Sequence, residues 1–215
     1  MTRPSRAAAL LLDLDGTLVD TEPMHRAAYR RFFEGHGWEV PDLSLFTGRR
    51  AADVFATEAG PWTGEDGHAL AREVMACIDP EALPEPVPGA AALLEAAARL
   101  GVPVAIVTSA GPAWVRRLAA GPLPGLADVE VLVTAEDVTD GKPDPAGYDL
   151  ACRRLGVPAA DAVAVEDSPA GVRAAVAAGV DTVVGVTTTW DAAALAAAGA
   201  NRAVGDLRVL AEELT

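Results

Sequence analysis

The sequence predicts a doubly wound α/β fold, a parallel sheet covered by helices on both faces, with a helical insert after the first strand. Three observations lead there. Short apolar, β-branched runs alternate with longer helical patterns. The runs are continuous rather than alternating, as strands buried on both faces are. One segment, from about 19 to 87, breaks the rhythm, with no convincing strand and much of the aromatic content.

In chain order, the strand candidates are 8–12, 102–107, 129–133, 162–165 and 182–186. The helix candidates between them are 90–100, 113–119, 146–155, 170–178 and 192–198. Gly101, Gly156, Gly179 and Gly199 stand where a helix ends in a left-handed residue. Pro169 behind Ser168 is an N-cap signature. Inside the insert the clearest helix is 24–33, with an apolar face ringed by Arg26, Arg30 and Arg31. The insert closes with Pro84-Glu85-Pro86-Val87-Pro88-Gly89, a stiff return to the sheet. The expected organisation is a core of 1–18 and 88–215 with an insert of 19–87.

The chain has 215 residues and is 51% hydrophobic, enough for one good-sized core carrying a smaller insert. Its net charge of -14 argues against nucleic acid, which needs a basic face. Cys77 and Cys152 are far apart and without His or Cys neighbours, so reduced thiols are expected, a single disulfide being the alternative. Arg3, Arg6 and the run up to Leu12 faintly resemble a signal peptide, but the run is short and ends in Asp13-Leu14-Asp15 with no cleavage site. No stretch approaches the roughly 20 apolar residues of a membrane span. A cytoplasmic protein with no membrane contact and no obligate protein partner is expected.

Two acidic runs carry the chemistry. Leu12-Asp13-Leu14-Asp15-Gly16-Thr17 and Val165-Glu166-Asp167-Ser168-Pro169 each stop an apolar strand at carboxylates. In an extended strand Asp13 and Asp15 share a face, so one can attack while the other handles a proton. Taken singly, Asp-Gly is also an ordinary turn, and acids before a helix also cap it. An EF-hand is excluded, because Gly16 is at position 4 counted from Asp13 rather than 6. Ser109, after the strand at 102–107, is placed at a helix start, where it holds a phosphate or simply caps the helix. Lys142, in Asp140-Gly141-Lys142-Pro143-Asp144-Pro145, is a cation on a rigid turn or an ordinary surface lysine. Together these residues fall at the carboxyl edge of one sheet, where open α/β sheets bind ligands. A carboxylate nucleophile, a second carboxylic acid, hard oxygen ligands for Mg²⁺, a hydroxyl donor and a lysine are what phosphoryl transfer needs.

With these runs in order and normally spaced, the chain resembles the haloacid dehalogenase-like phosphohydrolases over essentially its whole length. The resemblance implies a Rossmann-like core and a helical cap. It implies Asp13 as the nucleophile, which becomes an aspartyl phosphate, and Asp15 as the general acid and then base. Ser109 and Lys142 would hold the phosphoryl oxygens. Mg²⁺ would be held by Asp13, the main-chain carbonyl of Asp15 and Asp167, with Glu166 as ligand or just behind. Asp15 argues against true dehalogenation, which does not use that acid.

A narrower resemblance lies in Thr47-Gly48-Arg49-Arg50-Ala51-Ala52-Asp53-Val54, similar to the cap segment of glycerol-phosphate and deoxysugar-phosphate phosphatases. Thr47 stands where those have His, which leaves the substrate open. On this reading Arg50 reaches the substrate; the alternative is a solvated arginine at a helix start. His25 aligns with a cap-hinge histidine of related phosphosugar mutases, or is a surface or core-edge histidine. The function expected is a Mg²⁺-dependent phosphatase of small phosphorylated polyols or sugars, its partner a small phosphorylated metabolite. A phosphosugar mutase resembling β-phosphoglucomutase is the alternative. A receiver-like phospho-acceptor domain also combines Asp, Ser/Thr, Lys and Mg²⁺, but is far shorter and lacks a helical insert.

Overall fold

The computed structural model describes residues 8–46 and 51–215. The chain divides into two compact units, 1–20 with 85–215, and 21–84. In order the elements are β1 (Ala9–Leu12), β2 (Val19–Asp20), α1 (Glu22–Gly35), α2 (Ala51–Thr57), α3 (Gly67–Ala76) and β3 (Glu85–Pro86). There follow α4 (Ala90–Leu100), β4 (Val104–Val107), α5 (Pro112–Ala120), β5 (Val131–Val133), α6 (Ala146–Leu155) and β6 (Ala162–Glu166). The chain ends with α7 (Pro169–Ala177), β7 (Thr182–Val186), α8 (Ala192–Ala198), β8 (Arg202–Val204) and α9 (Arg208–Leu214).

Six parallel strands form one sheet in the order β5-β4-β1-β6-β7-β8. The side-chain period of two sorts each strand between two cores. Leu10, Leu12, Val104, Ile106, Val165 and Val184 face one core with Leu93 and Leu94 of α4, Leu118 of α5 and Leu210 of α9. Ala9, Leu11, Ala105, Val107, Ala164 and Val183 face the other with Tyr148 of α6, Val172 of α7 and Leu195 of α8. Both faces are covered, so the strands are apolar on both, as the continuous runs predicted. The fold is the doubly wound α/β class expected from the sequence.

Two features differ from the sequence reading. The stretch expected to hold no strand opens and closes with one: Val19–Asp20 pairs antiparallel with Glu85–Pro86. Each is two residues long, too short for a period to register. β8 is a sixth strand that the sequence reading did not anticipate, a three-residue edge with Arg202 exposed.

In the unit 21–84, α1, α2 and α3 pack around an aromatic core. Phe32, Phe33, Phe46, Phe55 and Trp62 are buried together, with Phe33 and Trp62 ring centroids 5.5 Å apart. The indole of Trp62 donates to the Glu58 carbonyl at 3.0 Å, satisfying its one polar atom. Cys152 is buried and Cys77 half-buried, and both are free thiols. Among the described residues no helix is long and apolar enough to cross a membrane.

Candidate active site

The chain leaves β1 at the centre of the sheet, winds outward through β4 and β5, and returns to β6 on β1's other side. β1 therefore sits at the switch point where the winding reverses, and the crevice there opens past the carboxyl ends of β1, β4 and β6. Leu12 is in register with both Ile106 and Val165. One residue further on, Asp13 comes level with Glu166, and its N–H donates to the Val165 carbonyl at 3.0 Å. Register, rather than any long-range attraction, brings the two acidic runs together.

Asp13, Glu166 and Asp167 each offer a carboxylate oxygen within 4.8 Å of the others. All three are buried, at 6%, 0% and 5% exposure. The strand period explains Glu166: it follows Ala162 and Ala164 onto the sheet face that α6 covers, and the Tyr148 hydroxyl donates to its Oε1 at 3.0 Å. Its Oε2 accepts from the backbone N–H groups of Asp167 and Ser168 at 3.1 and 3.2 Å and from the Ser168 hydroxyl at 3.1 Å. Gly171, in the first turn of α7, packs against Glu166 with no room for a side chain: a Cβ there would overlap the carboxylate.

Lys142 closes the group. Its Nζ donates to Asp13 Oδ1 at 2.5 Å, Glu166 Oε1 at 2.6 Å and the Val107 carbonyl at 2.9 Å, all three of its protons being used. A clue the sequence reading passed over is that Lys142 is the chain's single lysine among seventeen Lys and Arg residues. Burial would lower its pKa, but the carboxylates of Asp13 and Glu166 outweigh that and hold it above the ordinary range, so it is charged.

One ammonium does not balance this many acids. Burial pushes the Asp13 carboxyl up to about 7, against the pull of Lys142, and Glu166 adds to the rise. Asp167 is pushed up by burial and by Asp13 and Glu166, with the Thr189 hydroxyl opposing. Asp13 Oδ2 is buried with no hydrogen-bond partner among the described residues. A buried carboxylate oxygen without a donor is costly unless a cation or a reacting atom completes it. Hard oxygen donors with an excess of negative charge fit a small divalent cation such as Mg²⁺. Gly16, at φ +87°, turns the chain beneath Asp167, and a Cβ there would overlap that carboxylate. The Thr188 hydroxyl donates to the Gly16 carbonyl, pinning the turn to the loop after β7.

Asp15 is not on an extended strand with Asp13. The strand ends at Leu12, and the chain folds into a tight turn in which Gly16 N–H donates to the Val19 carbonyl at 2.7 Å and Leu18 N–H to that of Leu14 at 2.8 Å. The turn separates the two aspartates into different surroundings. The indole of Trp114, the third residue of α5, donates to Asp15 Oδ1 at 2.8 Å. Nothing in the local sequence marked Trp114, because the contact spans 99 positions. Tyr148 is the other residue missed; its hydroxyl was hidden on an otherwise apolar helix face.

Ser109 is exposed in the loop after β4, three residues before α5 begins, so the alternative of a helix cap does not hold; Gly111 takes that place. It lines, with Thr108, Thr139, Lys142 and Tyr148, a cavity of about 240 Å³ beside the acidic group. His25 lies half-buried in α1 of the unit 21–84. Arg50, with Thr47, lies outside the described residues.

The chain is similar in sequence and fold to known proteins. A family model for haloacid dehalogenase-like hydrolases matches residues 7–179. Validoxylamine A 7'-phosphate phosphatase of Streptomyces hygroscopicus subsp. limoneus is 43% identical over 195 residues, 87% of this chain and 89% of that protein. Hexitol phosphatase A of Escherichia coli is 36% identical, over 81% of each chain. Among solved structures, a Thermotoga maritima protein provisionally named a β-phosphoglucomutase superposes with a TM-score of 0.70 at 28% identity, covering 96% of this chain and 95% of that one.

Proposed function

The chain belongs to the haloacid dehalogenase-like hydrolases and is a phosphatase, and from that premise we propose that it hydrolyses phosphate monoesters of small polyols or sugars, with Mg²⁺, through a phosphoryl group carried on Asp13. The observation that carries this reading is Asp13: a buried carboxylate at the sheet's switch point, one oxygen on Lys142 and the other without a hydrogen bond.

Asp13 attacks phosphorus, and the P–O bond to the alcohol breaks as the P–O bond to Asp13 forms. Asp15 gives its proton to the departing oxygen, then takes one from the water that releases phosphate. Ser109 holds a phosphoryl oxygen, and Lys142 turns the donor it gives Asp13 in the free site to the phosphoryl group, while Glu166 with Tyr148 behind it keeps Lys142 in line. Asp13, the Asp15 carbonyl and Asp167 would hold a divalent cation, which would supply charge to offset that of the transferring group. Glu166 has five donors on its two oxygens, Lys142 included, which supports a part in positioning Lys142 over direct ligation.

The substrate class rests on relatives named for hexitol and validoxylamine phosphates. The similarity to the β-phosphoglucomutase-named structure keeps an isomerase in view, since both reactions begin with Asp13. A panel of hexitol, cyclitol and sugar phosphates, assayed for free phosphate with Mg²⁺ and with chelator, tests the reading. Release of phosphate from polyol or sugar monoesters that chelator stops supports it. Conversion of a sugar 1-phosphate into its 6-phosphate without phosphate release overturns it in favour of the mutase.

A further inference from the structure

We infer that Trp114 is a positioning residue for proton transfer, its indole N–H holding the Asp15 carboxyl group where it can protonate the leaving alcohol. The inference rests on the reading of Asp15 as the general acid. Asp15 stands in the turn after β1, where a bridge to Val19 holds its backbone and leaves its side chain to be placed by its own contacts. The indole reaches it, with Nε1 2.8 Å from Oδ1.

The indole is itself held. α5 follows β4, the strand beside β1, after the short loop 108–111, which sets Trp114 over the same edge. The ring packs half-buried against the core of Leu10, Leu12 and Leu118, and the Arg117 guanidinium stands over it, 5.9 Å from its centroid. Tryptophan has two side-chain torsions, so a ring packed this way has little freedom left to lose. The chemistry of the donor suits the task. An indole N–H donates and never accepts. It can therefore fix the carboxyl group without competing with the leaving oxygen for the proton. A misplaced acid is costly only where a proton is required, and that dependence on the leaving group separates positioning from packing.

The test replaces Trp114 by phenylalanine and, separately, by benzothienylalanine, which keeps the indole's shape and puts sulfur in place of the N–H. kcat/KM is measured on a hexitol phosphate, whose alkoxide must be protonated, and on p-nitrophenyl phosphate, whose phenolate leaves unaided. Both variants should lose about 10- to 100-fold on the hexitol phosphate and stay within about threefold on the aryl phosphate. In an Asp15→Asn background, Trp114→Phe should add no leaving-group-dependent loss, because the two act as a unit. Equal losses on both substrates, or a benzothienylalanine variant as active as wild type, would overturn the inference and leave Trp114 a packing residue. If Asp15→Asn alone shows no dependence on the leaving group, the reading of Asp15 has failed and the inference falls with it. If instead Asp15→Asn shows that dependence and the Trp114 variants do not, the reading stands and only the inference fails.

Discussion

Asp13 and Lys142 meet at 2.5 Å in a pocket where Asp13 is buried and Lys142 half-buried, and each side chain's chemistry is set by the other. Apart from three histidines the chain uses arginine for every other basic side chain, so a lone lysine here marks a need for a compact ammonium with three donors. Lys142→Arg, although it keeps the charge, should therefore lose about 10²-fold or more in kcat/KM, as loss of a donor to a developing charge does. Activity near wild type would show that charge alone suffices. Tyr148 is a milder case. Tyr148→Phe removes one donor from a carboxylate that keeps several others, so urea unfolding should show a loss of about 1–2 kcal/mol with turnover largely kept. A loss of turnover without a loss of stability would instead place the hydroxyl in the chemistry.

At the scale of elements, the carboxyl-edge loops are held by local clasps. The loop after β5 is closed by Asp137, which accepts from the Thr134 N–H and hydroxyl, both at 2.9 Å, and from Arg154 of α6 at 2.7 Å. The Thr134 N–H first, and Arg154 second, hold its carboxyl below the ordinary range. A carboxylate with a depressed folded pKa stabilises the protein above its unfolded pKa, and that contribution is lost as pH falls through the lower folded value. Asp137→Asn should thus cost about 1 kcal/mol at neutral pH, and the gap from wild type should close below about pH 4. A gap that stays constant with pH would exclude the carboxylate as its source. The elements themselves were legible in proportion to their length and apolarity. The helices Ala90–Leu100, Ala146–Leu155 and Ala192–Ala198 stand where their periodicity and terminal glycines put them. The two-residue strands at 19–20 and 85–86 left no trace of a period. That Asp13, Glu166, Asp167 and Lys142 come together could be expected because each closes or follows a strand of the central sheet. The contacts of Tyr148 and Trp114 could not, because they depend on which side of a helix meets which loop.

Across the whole molecule the charge of -14 poses the question of how an acidic chain handles an anionic substrate. The answer proposed is local: Lys142 and a divalent cation reverse the field over a few ångströms, within about one Debye length of the phosphate. Binding of the cation to the native state alone should raise the melting temperature of the wild type as Mg²⁺ is added. Asp167→Asn should blunt that rise, and an equal rise in the variant would place the ion elsewhere. Ca²⁺ should occupy the site yet inhibit, because its larger and looser shell misplaces Asp13. The central claim is that phosphorus passes through Asp13. It is tested most directly by acid-quenching the enzyme within one turnover of a hexitol phosphate and weighing its peptides. The account predicts one added phosphoryl group on the peptide carrying Asp13, absent in chelator and absent in Asp13→Asn, which should be inactive though folded. Sustained phosphate release by Asp13→Asn, with no phosphorylated peptide in the wild type, would contradict it.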